Sequence, residues 1–376
     1  MPFGVYVHIP FCASRCDYCD FATWTDRGHL VDAYVAACVA DLEQRSARGE
    51  LAPATSVFFG GGTPSPLTAG DLVRILDAIP RTSDAEVTVE CNPDSVDVAK
   101  LTAYRNGGVN RLSFGVQSMR GHVLAALGRT HDPDNVERAV ESARAAGFQT
   151  FNVDLIYGTP GETPDDWNAT IEGALALEPV HVSAYALTVE PATALGRRVA
   201  AGDQPGPDDD DQADKYVRAD DLLTDAGLDW YEVSNWARPG HECRHNLIYW
   251  DQGDYVAIGC AAHGHRDGRR WWNVRTPERY VDRITRGLAP EAGAEELDAT
   301  TRADERLGLA LRTRAGVEAA RLPVTPLDDL VASGLLAPMG DRVVLTRRGR
   351  LLTTDVTARL LAAGEVEPLA LGTLDC

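Results

Sequence analysis

Three cysteines, Cys12, Cys16 and Cys19, form a C-x3-C-x2-C run that begins six residues after Tyr6 and ends two before Phe21. Cysteine runs with gaps this short are the usual cradle of iron–sulfur clusters. Three thiolates can hold three irons of a cubane and leave the fourth open to an external ligand, whereas a cluster that only carries electrons ordinarily takes four protein thiolates. Spacing alone leaves two other readings open. Zinc takes four N or S ligands in closed sites, and His8 could complete a Cys3His set. The trio could also be a redox or incidental group. With eight cysteines in 376 residues and no basic-then-apolar leader, the chain reads as a protein of a reducing compartment. There, neighbouring cysteines bind metal or do redox work more often than they form disulfides.

Something must position these thiols, and the first half of the chain supplies a repeating strand–helix alternation. Apolar, β-branched or aromatic runs recur at 4–8, 56–59, 86–90, 111–116, 150–157 and 181–189. The clearest helix between them covers 135–146, with Asp132 as N-cap, Pro133 at the first helical position and Gly147 after the end. Six such units predict a parallel sheet whose right-handed crossovers curl it into a full or partial barrel. In such folds chemistry gathers at the C-terminal strand ends. The unusual polar and glycine residues follow that rule: Gly60 to Pro64 after the second strand, Glu90 closing the third, Gln117 and Ser118 after the fourth, Asp154 in the fifth and Tyr185 in the sixth. With the cysteines following the first strand, they predict one shared ligand site on that rim.

Bulk properties narrow the partners. Lys+Arg 36 against Asp+Glu 56 gives a net charge of −20, which argues against nucleic acid. No apolar run approaches the ~18 residues that span a bilayer. Residues 202–212, rich in proline, glycine and aspartate, read as an exposed acidic loop with no metal role. From about 296 the pattern changes to helices, a short turn-and-strand element near 340–346 and a final helix, a small winged-helix-like module. The expected division is therefore 1–202 for the barrel and its site, 203–295 for the acidic loop and a distinct middle region, and 296–376 for the terminal module. Cys38, Cys91 and Cys376 read as small buried hydrophobes or an incidental terminal thiol.

The cysteine run, the Gly-Gly-Gly-Thr-Pro segment at 60–64, Glu90-Cys-Asn-Pro93, Arg111-Leu-Ser-Phe-Gly-Val-Gln-Ser118, Gly128-Arg-Thr-His131, Asp154-Leu-Ile-Tyr-Gly158 and Tyr231-Glu-Val-Ser-Asn-Trp-Ala-Arg-Pro-Gly240 together resemble the radical S-adenosylmethionine (radical SAM) superfamily. More narrowly, they resemble oxygen-independent coproporphyrinogen III oxidases and the related heme chaperones of the HemW branch, over nearly the whole chain. The resemblance implies an α/β partial (β/α)6 barrel with a mixed C-terminal extension. It implies a [4Fe–4S] cluster on Cys12, Cys16 and Cys19, with SAM chelating the open iron. Gly61, Gly62 and Thr63 would let the backbone approach the methionine moiety, Glu90 would meet its ammonium and Arg129 its carboxylate. Tyr6, Tyr18, Gln117 and Asp154 would line the cofactor, Asp154 near the ribose hydroxyls, while Ala186 and His263 are carried over on short matches only. Electron transfer into such a cluster cleaves SAM to methionine and a 5′-deoxyadenosyl radical.

Two features divide the branches. The decarboxylating oxidases carry a fourth cysteine two residues after the third, where this chain has Phe21. The run His245-Asn-Leu-Ile-Tyr-Trp250 matches the HNxxYW motif of the chaperone branch, where it is associated with heme. His245 is the expected heme ligand and Cys243 a second possibility; read without the family, a histidine among aromatics is more often a hydrogen-bonded structural residue. The alternating His241, Cys243 and His245, with Cys260, His263 and His265 downstream, also leave zinc conceivable. No C-x-x-C-H is present, so covalent c-type attachment is not expected. The resemblance thus implies a cytoplasmic heme chaperone serving an unidentified heme-accepting protein. A flavodoxin- or ferredoxin-type electron donor and at most transient membrane association would accompany it. The alternative is the radical decarboxylation of coproporphyrinogen III.

Overall fold

The computed structural model describes residues 2–363, so Cys376 and the end of the terminal module lie outside the described residues. Six parallel strands open the chain: β1 (Phe3–Ile9), β2 (Ala54–Gly61), β3 (Arg81–Cys91), β4 (Arg111–Gln117), β5 (Phe151–Tyr157) and β6 (His181–Ala186). They lie side by side in chain order, each followed by one or more helices, as the alternation predicts. Strand alternation divides their faces. Val5, Val7, Val57, Val87, Val89, Leu112, Phe114, Val153 and Val182 pack against the helices in one core. The opposite, concave face is polar. Phe58 pairs with Thr88 and Thr88 with Arg111, while Glu90, Ser113, Asn152 and His181 form a second row across β3 to β6.

The helix Pro133–Ala145 carries the predicted caps: the Asp132 side chain accepts the Asp134 N–H and Gly147 takes φ +88°. Two expectations are corrected. The sixth strand stops at Ala186 rather than 189. Leu187 N–H still donates to the Tyr157 carbonyl, but it makes no further strand pair and its side chain packs with Leu127, Ile156 and Leu195. The acidic segment is a loop only as far as 207. Asp208 caps the helix Asp209–Asp225, and three aspartates in its first turn complement the positive end of the helix dipole. Asp211 moreover pairs at 2.7 Å with the buried ammonium of Lys215, so it is more than solvated surface.

The sheet does not stop at residue 202. Antiparallel β7 (Asp229–Glu232) and β8 (Asn235–Ala237) extend it beyond β6. On the other side β9 (Asp254–Ile258) joins β1 in parallel, followed by antiparallel β10 (His263–Arg266), β11 (Arg269–Asn273) and β12 (Glu291–Glu296). The twelve strands form one open arc, both outer edges of the six-stranded unit being occupied by these additions.

A separate apolar cluster organises the last part, where β13 (Val317–Glu318), β14 (Leu336–Met339) and β15 (Arg342–Leu345) pack with helices including Ala299–Leu311 and Thr353–Ala362. This module is latched to the rest through Asp220. That buried carboxylate accepts from both Arg350 terminal nitrogens (2.9 and 2.8 Å), Arg347 Nε (2.6 Å) and Trp236 Nε1 (2.8 Å). The Arg350 guanidinium also lies 4.5 Å from the Trp230 ring centroid. No helix among the described residues is long and apolar enough to cross a membrane.

Candidate functional site

The cysteine loop leaves β1 at the C-terminal end of the sheet. Its backbone is tied down at both ends, Cys12 N–H donating to Trp24 O (3.1 Å) and Trp24 N–H to Pro10 O (2.8 Å). Its middle is held by Asp17, whose N–H donates to Leu127 O, whose carbonyl accepts from Leu195 N and whose carboxylate meets Arg198 at 2.7 Å. The three thiols are unpaired and half-buried. Thr63 Oγ1 lies 3.6 Å from Cys12 Sγ, and an Arg129 guanidinium nitrogen 3.6 Å from Cys16 Sγ. Burial, together with the neighbouring sulfurs, pushes the Cys12 and Cys19 thiols up, so an iron–sulfur core would be what holds them as thiolates.

A single zinc ion is poorly served. Both ring nitrogens of His8 are engaged, one with the Ala22 carbonyl (3.0 Å) and one with the Tyr6 hydroxyl (3.2 Å). Among the described residues no three His, Cys, Asp or Glu side chains converge as one metal ion requires. A cubane asks instead for soft thiolates at separate corner irons. The donor set therefore fits a cluster with three protein ligands.

The glycine run lies directly beneath the cysteines. Gly61 pairs with Ile9 at the end of β2 and adopts φ +107°, and a Cβ there would fall 2.2 Å from the His8 ring. A Cβ on Gly62 would stand 2.7 Å from Ile9 O and 3.1 Å from Cys12 Sγ. Both glycines thus let the cluster loop sit flat on the strand ends, a packing reason besides any approach to a ligand. Gly62 N–H and Thr63 N–H donate to the carbonyls of Ile9 and Phe11.

Glu90, Asp154, Tyr6 and Tyr185 line a cavity of about 210 Å³ on the concave face. Burial first, then the charge of Asp154, raises the Glu90 carboxyl to about 8, partly offset by the Gly61 N–H that it accepts at 3.2 Å. Asp154 is raised by burial and held down by Ser113 (2.7 Å) and Asn152 (2.7 Å). Arg129 is fixed on the rim by Gly115 O (2.7 Å) and His131 Nδ1 (3.0 Å). Gln117, at φ +65°, turns its amide toward Gly115, and Tyr18 packs beside Leu127 and Leu195. The structure thus gathers the cysteines, Gly61, Gly62, Thr63, Glu90, Gln117, Arg129 and Asp154 on one rim; of the expected residues Tyr6, Glu90, Asp154, Cys243 and His245 line the cavity itself, and the cysteines, Gly61, Gly62, Thr63, Gln117, Arg129, Ala186 and His263 lie outside its lining.

Several side chains around this chamber were not singled out in the sequence. Asn152, Ser113 and Ser183 form a hydrogen-bonded group inside it. His181 bonds Asn152 (2.5 Å) and Tyr231 (2.7 Å), and burial lowers its pKa far below the usual value. Asp17 and Arg198 brace the cysteine loop. The floor is the helix Arg244–Trp250, which carries the His245–Trp250 motif. His245 is wholly buried. Its ring stacks on Phe58 at 5.3 Å, its nitrogens bond Ser56 (2.9 Å) and Tyr249 (2.8 Å), and burial lowers its pKa to about 3. Cys243 is buried against Glu86 and raised to about 12.

Comparison with known proteins places these features. Residues 6–174 match the family model described as the radical SAM superfamily. Among curated relatives, a heme chaperone HemW of Mycobacterium tuberculosis is 44% identical over 96% of this chain and 95% of its own length. The heme chaperone HemW of Escherichia coli is 35% identical over 96% and 98%. Among solved structures, the coproporphyrinogen III oxidase HemN of E. coli, a radical SAM enzyme, superposes with a TM-score of 0.82 at 23% identity, over 96% of this chain and 90% of that one. This last likeness describes the fold.

Proposed function

The chain belongs to the radical SAM superfamily and, within it, to the family of heme chaperones called HemW, and from that premise we propose that it binds heme and hands it to an acceptor protein, with a SAM-ligated [4Fe–4S] cluster as its resident cofactor. The near full-length similarity to curated chaperones is the observation that carries this reading. Phe21, 67% exposed where decarboxylating enzymes have their fourth cysteine, supports it.

Cys12, Cys16 and Cys19 would hold three irons and keep one free. Bound there, cluster and SAM supply one-electron reduction of a sulfonium centre. Around them Glu90 would pair with the SAM ammonium, Arg129 with its carboxylate and Asp154 with the ribose hydroxyls. Gly61, Gly62 and Thr63 offer backbone to the methionine end, and Tyr6, Tyr18 and Gln117 close the sides. Three parts serve this reading: 1–202 the cofactor, 203–295 the floor and the added strands, 296–376 the terminal module. A flavodoxin- or ferredoxin-type donor and a cytoplasmic setting belong with it.

Decarboxylation of coproporphyrinogen III is a second reading, favoured by the fold likeness to HemN. Anaerobic reconstitution followed by hemin titration and porphyrinogen turnover separates the two. A saturable Soret shift without turnover is expected. Turnover under a low-potential reductant, or no shift at all, would overturn the chaperone reading.

A further inference from the structure

Arg129 is held from three sides, and one of its partners is a cluster cysteine. One terminal nitrogen donates to Gly115 O at 2.7 Å, Nε donates to His131 Nδ1 at 3.0 Å, and the other terminal nitrogen lies 3.6 Å from Cys16 Sγ. A guanidinium carries two N–H donors on each terminal nitrogen and one on Nε. One donor on each terminal nitrogen therefore remains, a pair suited to the two oxygens of a carboxylate.

Packing does not explain the histidine. Its ring is buried, 5% exposed, and it accepts through Nδ1, so its proton sits on Nε2. That nitrogen is buried without a hydrogen-bond partner among the described residues. Orphaned buried donors are rare and unfavourable, and an apolar side chain would fill the place without leaving one. What the imidazole adds is the lone pair that Arg129 takes. Burial, then the Arg129 charge, lowers the pKa of His131 to about 4, so the acceptor persists at neutral pH.

The same segment is set in register with the cysteines. Asp17, the residue after Cys16, donates its N–H to Leu127 O at 3.0 Å. Gly128 takes φ +68°, and a Cβ there would fall 2.5 Å from the Asp17 carboxyl carbon and 2.9 Å from its amide nitrogen, so glycine lets the two loops lie this close. On the other side of His131, Asp132 caps the helix Pro133–Ala145. The ring thus stands on a fixed base, two residues from the arginine it restrains.

Resting on the reading of a SAM-ligated cluster, we propose that His131 is the positioning residue that holds Arg129 between the Cys16 sulfur and the carboxylate of SAM, so that one guanidinium sets both cofactor affinity and cluster potential. Hydrogen bonds to cysteine sulfur favour the electron-richer, reduced cluster and raise its potential. Released from His131, the long arginine side chain regains rotamers, and its contacts to sulfur and to carboxylate weaken together.

The test compares the anaerobically reconstituted full chain with His131→Leu, which keeps an apolar filling, and His131→Asn, whose carboxamide oxygen restores an acceptor. Iron and acid-labile sulfide content controls for loading and circular dichroism for folding. The readouts are SAM titration and the midpoint potential of the cluster, followed by the electron paramagnetic resonance of its reduced state. His131→Leu is expected to bind SAM about tenfold more weakly, the scale of one charge-assisted contact, and to show a more negative midpoint. His131→Asn should return both toward the wild type. Wild-type affinity and midpoint in loaded His131→Leu would overturn the assignment, as would an affinity loss with an unmoved midpoint. Equal losses in the two variants would also overturn it, since the ring would then act by packing alone. Where His131→Leu takes up no cluster, His131→Asn carries the test: near wild-type values are expected, and loss of either overturns the assignment. A loaded wild-type chain that does not bind SAM would instead overturn the cofactor reading, and the assignment with it.

Discussion

Glu90 is a carboxylic acid that the unliganded fold keeps protonated at neutral pH, since burial and Asp154 hold it near 8. A ligand ammonium favours the charged form, so SAM binding through Glu90 must expel a proton. Affinity should therefore rise with pH, by up to about tenfold per unit below 8, and level off above it. Calorimetric titration of SAM at pH 6, 7 and 8, in buffers of different ionisation enthalpy, measures both affinity and proton release. Glu90→Gln should abolish the slope and the release together, and a pH-independent wild-type affinity would remove Glu90 from the ammonium site. Glu90 was legible because it closes a strand. Ser113, Asn152 and His181 were not, although they carried a signal. Strands of a parallel sheet covered on both faces are apolar throughout, and polar residues at every second position betray a chamber on one side. Deciding which of those polar groups touch a ligand and which only brace Asp154 needs the distances.

The helix Arg244–Trp250 is only seven residues long, too short to persist without tertiary packing. His245 supplies much of that packing. Its replacement by alanine removes the stack on Phe58 and leaves the hydroxyls of Ser56 and Tyr249 without their partner. A loss of about 2–4 kcal/mol is expected, read as a lower thermal midpoint with the fold retained. An unchanged midpoint would mean that the helix is not held there. Among the larger elements, strand identity was plain in the sequence and strand ends were not. Val189 continues an apolar run, yet Leu187 already belongs to a satellite cluster with Leu195. The run of aspartates suggested repulsion and a loop, but placed at a helix N-terminus the same charges are favourable.

In the whole molecule, the terminal module is held through several ion pairs, of which the most buried centres on Asp220. Asp220→Ala would leave the buried guanidinium of Arg350 without its counter-charge, a change that costs about 3–5 kcal/mol. The expected result is faster hydrogen exchange and proteolysis in residues 299–363, with Asp220→Asn milder. Equal protection in Asp220→Ala and wild type would show that the module's other contacts, including the Arg312–Glu232 and Arg270–Glu305 pairs, suffice. The open arc has its own consequence. A closed barrel admits only what passes through its mouth, whereas here both edges of the parallel unit continue into antiparallel flaps. The helix Ala299–Leu311 bridges those flaps: Glu305 meets Arg270 of β11 at 2.9 Å, and Arg312, just past its end, donates to Glu232 of β7 at 2.8 Å. A rigid disc therefore passes sideways only where the terminal module lifts away, and no strand pair need separate. For a carrier, whose task is to let go of an unaltered cargo, that makes unloading a matter of departure geometry rather than of chemistry.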